Sequence, residues 1–241
     1  MRIIIAQDYQ ELSDRASRII VGLITEKPDA VLGLATGSTP IGLYQKLIEK
    51  YREKVLSFEK IKTFNLDEYY GLSPEHPQSY HYFMRKQLFD HVDIKPESIN
   101  IPRGVGAEPE VLCQEYNEKL KTANIDLQVL GIGNNGHIGF NEPGTSFNQE
   151  TFVVELAAET REANKRFFSS IDEVPRHAIT MGIKNIMEAK KILLLASGVS
   201  KAPAIKRLIY GPISEEFPAS VLKNHPDVTV ILDREAASMI K

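Results

Sequence analysis

DLQVLGIGNNGHIGFNEPG, residues 126–144, decides how the chain folds. Residues 126–130 read as a buried strand, and Gly131, Gly133 and Gly136 directly after it spell G-x-G-x-x-G. That motif cradles a dinucleotide pyrophosphate only when its third glycine opens a helix, whose N-terminus then meets the anion. Gly139, Pro143 and Gly144 prevent a helix after Gly136. The match is therefore accidental. What remains is a strand feeding an irregular loop that holds His137 between glycines, with Asn135 and Glu142 close by.

Working outward, apolar runs at 2–6, 30–35, 61–66, 191–196 and 228–232 repeat the strand pattern. Several are continuous rather than alternating, which implies burial on both faces, as in a parallel sheet. Amphipathic helical patterns lie between them at 9–25, 40–51, 78–89, 108–123 and 202–210. Pro40 suits a first helical turn, with Ser38 or Thr39 as cap. The alternation predicts one α/β domain: an open, mostly parallel, doubly wound sheet, Rossmann-like in a modified form, with helices on both faces. Residues 143–175 are the least regular. They read either as a lid over a site or as a structural excursion on the sheet edge.

Composition narrows the function. The chain has 241 residues and a net charge of −3, so no global field recruits nucleic acid or an acidic membrane surface. A phosphorylated ligand must be held by local cations and amides. The lone Cys113 sits in an amphipathic pattern, reads as a buried structural thiol, and suits a reducing compartment such as the cytoplasm. No apolar run approaches the roughly 20 residues of a membrane helix. The six histidines lack metal-ligand spacing, and neither metal nor cofactor is expected.

In an open α/β sheet, ligands bind beyond the carboxyl ends of the strands, and four such loops are unusual. GLATGSTP (33–40) offers Gly37, Ser38 and Thr39 before a helix, an arrangement that presents backbone N–H groups to an anion or simply caps the helix. TFNLDEYYGL (63–72) places Asp67 and Glu68 after a strand among apolar neighbours, which raise a carboxyl's pKa and suit a general base. One of the pair, Glu68, could instead cap the next turn. In the opening loop, His137 suits proton transfer near neutral pH, with a carboxylate or amide to fix its tautomer; a hydrogen-bonded structural histidine is the alternative. LLLASGVSKAPAI (193–205) puts Lys201 at a helix N-terminus, where it opposes the macrodipole unless an anion sits there or solvent screens it. Together these residues describe a cofactor-free enzyme moving protons on a small phosphorylated molecule.

The residues also resemble a known family. TGSTP (36–40), FNLDEY (64–69), GIGNNGHIGFNEP (131–143), TREANKRFF (160–168) and SGVSKA (197–202), in this order, resemble the glucosamine-6-phosphate deaminases over essentially the whole chain. The related 6-phosphogluconolactonases share the phosphate loop and a G-x-G-x-x-G-H segment, but FNEP and DEY look like the deaminase branch. The resemblance implies conversion of glucosamine 6-phosphate and water to fructose 6-phosphate and ammonia. It implies that His137, with Asn135 and Glu142, opens the sugar ring, and that Asp67 carries the proton from C2 to C1. Thr36, Gly37, Ser38, Thr39, Arg166 and Lys201 would hold the phosphate; Arg166 is named by the resemblance alone. A lactone hydrolase and a non-catalytic sugar-phosphate sensor are the competing readings.

Two departures stand out. Many family members carry aspartate where this chain has Asn135, and an amide orients an imidazole without stabilising its charge. Larger members are oligomers activated by an N-acetylated sugar phosphate through basic residues after the FNEP loop, where this chain has TFVVEL (151–156). The expectation is a monomer without such activation.

Overall fold

A computed structural model describes residues 1–156, 161, 162, 165, 168 and 170–240. Seven strands form the main sheet: β1 (Arg2–Ala6), β2 (Val31–Leu34), β3 (Lys62–Asn65), β5 (Ile99–Asn100), β6 (Leu127–Leu130), β9 (Ile192–Ala196) and β10 (Val228–Asp233). Their order is β1-β10-β9-β6-β2-β3-β5, and every pairing is parallel. β2, β6 and β9 are buried along their whole length, so nothing but apolar and compact polar side chains fits them.

Parallel neighbours need crossover connections, supplied by α1 (Tyr9–Glu26), α2 (Ile41–Arg52), α3 (Tyr80–Gln87), α4 (Pro109–Ala123), the short α5 (Ile183–Met187) and α6 (Ala202–Tyr210). From β1 through β2 and β3 to β5 the chain advances one way across the sheet; from β6 through β9 to β10 it advances the other way. Right-handed crossovers then put α1–α3 on one face and α4 and α6 on the other. The doubly wound expectation holds.

The sequence reading missed the second sheet. β4 (Asp67–Tyr69), β8 (His177–Thr180) and β7 (Phe152–Glu155) form a three-stranded antiparallel layer in the order β4-β8-β7. β4, β7 and β8 lie outside the alternation of apolar runs and helical patterns that marks the parallel strands, and β5 has only two residues. Residues 152–155 of the irregular segment are thus a strand. A second correction concerns α2: it begins at Ile41 after Pro40, and neither Ser38 nor Thr39 caps it with a side chain.

Asp126 ties the lower end of the sheet together. Its buried carboxylate accepts from Lys27 and Lys190 Nζ at 2.6 and 2.7 Å and from the Val31 N–H at 2.9 Å. Burial pushes its pKa up, but the two lysines and the N–H outweigh it, and the carboxyl lies below its ordinary value. Its stabilisation is therefore present above the unfolded-state pKa of 3.8 and disappears as acid protonates it. Asp126→Asn should destabilise the fold at neutral pH by about 1–2 kcal/mol, and urea unfolding should show the difference from wild type closing below about pH 4.

Candidate active site

The direction of winding reverses between β2 and β6, which are neighbours in the sheet. Loops leaving that pair diverge and open a crevice. The loop after β2 carries Thr36–Thr39 and the loop after β6 carries His137. Flanking them, β3 leads to Asp67 and β9 leads to Lys201. All four candidate loops leave adjacent strands, β9-β6-β2-β3.

The loop after β6 is irregular, as Gly139 and Pro143 require, and its shape is set by close packing. The Gly133 N–H donates to the His137 carbonyl at 2.9 Å, and the imidazole folds back over Gly133, where a Cβ would lie 2.3 Å from His137 Cε1. No other residue fits there. Asn135 joins the two ends: its Oδ1 accepts from the His137 N–H at 3.1 Å, and its Nδ2 donates to Glu142 Oε2 at 2.6 Å. Glu142 Oε1 stands 3.5 Å from His137 Nδ1, which is buried without a hydrogen-bond partner among the described residues. A carboxylate so placed becomes a short hydrogen-bond partner when the imidazole takes up a proton. An aspartate in place of Asn135 would set two carboxylates against each other; the amide donates instead.

Asp67 packs beside this loop. It pairs with Thr180 of β8, and a Cβ built on Gly139 would stand 3.5 Å from its Oδ2. Asp67 is only 6% exposed. Burial, and then the charge of Glu68, push its carboxyl up to about 8. Glu68 has the other fate: it accepts from the N–H groups of Tyr69, Tyr80 and His81, so its side chain holds the start of α3. Adjacent in sequence, the two acids part because successive strand residues face opposite sides.

In the loop after β2, Gly37 takes a left-handed conformation (φ 93°) and stands exposed beside Ser38. The Tyr9 hydroxyl props the turn from below, lying 3.2 and 3.0 Å from the Ser38 and Thr39 carbonyls and accepting from the Gly42 N–H at 2.8 Å. The Tyr9 hydroxyl takes an N–H of the first turn of α2, and neither the Ser38 nor the Thr39 hydroxyl caps the helix. Lys201 sits just before α6, and burial lowers its ammonium's pKa. Its Nζ donates to Asn134 Oδ1 at 3.1 Å. The amide oxygen accepts from the ammonium without neutralising it. Arg166 lies outside the described residues. Among the described residues no cluster of His, Cys, Asp and Glu could hold a metal ion, and none of the helices is long and apolar enough to cross a membrane. Cys113 is buried, its thiol pushed up to about 11, as a structural thiol should be.

Sequence reasoning missed the supporting residues. Asn134 lay unremarked in the loop itself, whereas Tyr9, Thr180 and Phe217 come from segments with no motif to mark them. Thr180 Oγ1 accepts from the Phe140 N–H at 3.2 Å, and the Phe217 ring fills the space beside Gly136.

Comparison with known proteins decides the kinship. Residues 6–231 match the family described as glucosamine-6-phosphate isomerases/6-phosphogluconolactonase. The chain belongs to this family. It is 56% identical over 241 residues to the glucosamine-6-phosphate deaminase of Thermoanaerobacter pseudethanolicus, covering 100% of this chain and 95% of that relative. A solved monomeric glucosamine-6-phosphate deaminase superposes with a TM-score of 0.97 at 54% identity, covering 100% of both chains. A 6-phosphogluconolactonase from Trypanosoma cruzi superposes with a TM-score of 0.80 at 21% identity, over 100% of this chain and 97% of that one, which shows the shared fold.

The raised Asp67 carboxyl has a thermodynamic consequence. Because it holds a proton more tightly folded than unfolded, its favourable contribution is complete below the unfolded value of 3.8 and has gone once the pH passes about 8. Asp67→Asn removes the ionisation that weakens the fold. Thermal melts should show this variant gaining on wild type between about pH 4 and pH 8, with the gap constant above that window.

Proposed function

We propose that the protein is a glucosamine-6-phosphate deaminase, turning glucosamine 6-phosphate and water into fructose 6-phosphate and ammonia. The observation that carries this reading is a pair of separate acid–base centres on one crevice: the buried Asp67, and His137 with Glu142. Lactone hydrolysis requires one base for one water. Ring opening followed by an aldose–ketose proton shift requires two. The 56% identity with a whole deaminase supports the same choice over the lactonase reading.

In this reading His137 moves the proton of the anomeric hydroxyl to the ring oxygen, and Glu142 stabilises the imidazolium formed on the way. The open chain exposes C2 to Asp67. As a carboxylate, Asp67 takes the C2 proton and returns it to C1, leaving an imine at C2. Water adds there, and ammonia leaves as the ketone forms. The ammonium group of the bound sugar is a cation beside Asp67 and favours the carboxylate that the reaction needs. The exposed turn Thr36–Thr39 and Lys201, together with Arg166, hold the phosphate. We read the chain as acting alone in the cytoplasm as one domain; the monomeric relative supports the first point, and a sheet built from both ends of the chain supports the last.

Ammonia release from glucosamine 6-phosphate tests the activity; lactone hydrolysis without ammonia would overturn it. Asp67→Asn should abolish both turnover and exchange of the C2 proton with heavy water. His137→Gln should retain slow turnover, reduced about 10²–10⁴-fold, because sugar rings also open spontaneously. Its rate should then be limited by ring opening and show a smaller isotope effect with C2-deuterated substrate.

Lys201→Ala should raise KM about 10–100-fold, the equivalent of losing one charge-assisted hydrogen bond to a desolvated anion. An unchanged KM would place Lys201 outside the phosphate site. N-acetylglucosamine 6-phosphate should leave the substrate saturation curve unchanged; a leftward shift would reveal an activator site.

A further inference from the structure

Glu68 is more enclosed than Asp67, at 1% exposed, and the proposed reaction makes no use of it. Its side chain faces away from the crevice, toward the start of α3. There it accepts N–H groups from Tyr69 at 2.8 Å, Tyr80 at 2.9 Å and His81 at 3.0 Å, and it lies 2.8 Å from His81 Nδ1. The helix already has a cap, since Ser79 Oγ accepts from the Tyr82 N–H. A second acceptor joined to an imidazole is more than capping requires.

The surroundings of this pair are sparse in charge. From α3, His81 and Tyr80 face Glu68, and from β4 its neighbour is Asp67. The loop crossing it contributes Gly104, while Arg103 turns away to Glu115 at 2.6 Å. β8 sets the apolar Ile179 opposite it. Asp67 itself is faced by Tyr80 and Tyr116, both neutral phenols in this buried setting. Glu68 is thus the anion acting on Asp67 among the described residues, and His81 is the group placed to offset it.

We propose that Glu68 is a positioning residue for the reaction: its charge, held by α3 and offset by His81, sets how readily Asp67 takes the C2 proton and gives it back. The proposal rests on Asp67 being the C2 base. Repulsion from Glu68 makes Asp67 a stronger base than burial alone, in a place where Glu68 never touches the sugar. An imidazolium at position 81 cancels part of that repulsion, and a neutral imidazole leaves more of it in force. The pair therefore links the strength of the base to a partly exposed histidine, 23% exposed, outside the crevice.

Two variants read this directly, by carbon-13 NMR titration of the Asp67 carboxyl in the intact chain and by the pH profile of kcat/KM for ammonia release. Glu68→Gln removes the charge and keeps the shape. The Asp67 midpoint should fall by about one pH unit, and the acid limb of kcat/KM should move down with it. His81→Phe removes the offsetting group, and both midpoints should move up by a smaller amount. A purely structural role would lower kcat at every pH without moving either midpoint. Unmoved midpoints, or movement of both variants in one direction, would overturn the proposal. If Glu68→Gln fails to fold, His81→Phe decides alone, because it leaves the backbone donors around Glu68 in place. Failure of the deaminase reading shows separately, as wild-type protein that releases no ammonia while Asp67 still titrates.

Discussion

The antiparallel pairing of β4 with β8 is the constraint on which the candidate site depends. β3 ends at Asn65, and two residues later the chain leaves the parallel sheet to pair with residues more than a hundred positions away, Asp67 with Thr180. That pairing holds the two candidate segments together. The Met181 N–H donates to the Leu66 carbonyl at 2.7 Å, and Asn141 Nδ2 bonds both the Ile138 and Met181 carbonyls at 2.8 Å. The His137 loop and Asp67 are thereby anchored to the same two strands. Neither can drift from the other without breaking buried hydrogen bonds, which is costly where no water can replace them. Acid–base groups fixed in advance need no reorganisation when the proton moves.

Three buried carboxylates show how environment rather than residue type sets behaviour. Asp126 meets two lysines and a backbone N–H and is held below its ordinary pKa. Glu68 is surrounded by N–H donors and an imidazole. Asp67, one residue from Glu68, receives neither cation nor hydrogen bond from the described residues, and it rises to about 8. The first two secure the fold. The third carries a cost to stability that grows as the pH rises to about 8.

The Gly37 turn and Lys201 are held by different means. With a net charge of −3 the chain has no long-range attraction for an anion, so recognition is local. The turn at Gly37, propped by Tyr9, and the half-buried Lys201 lie on the loops after β2 and β9, on either side of the β6 loop that carries His137. Asn134 links Lys201 to that loop directly. The Gly37 turn, Lys201 and the His137 loop are thus neighbours at one edge of strand ends.

By itself, the sequence determined the parallel architecture and marked the candidate residues at its strand ends. Continuous apolar runs identify doubly covered strands because only such side chains survive burial on both faces, and glycine with proline after Gly136 rules out the dinucleotide turn. The same local rules mark the pair Asp67 and Glu68 and His137 after strands, and Lys201 where a helix begins. The tertiary structure decided what local rules cannot contain. β4, β7 and β8 lie outside the helix–strand alternation, and they become strands through pairing with one another. Whether Asp67 or Glu68 faced the crevice was likewise open in the sequence, because two adjacent acids look alike until a sheet assigns them opposite sides. Tyr9, Thr180 and Phe217 support the site from remote positions, and no motif marks a residue whose part is defined by what folds against it.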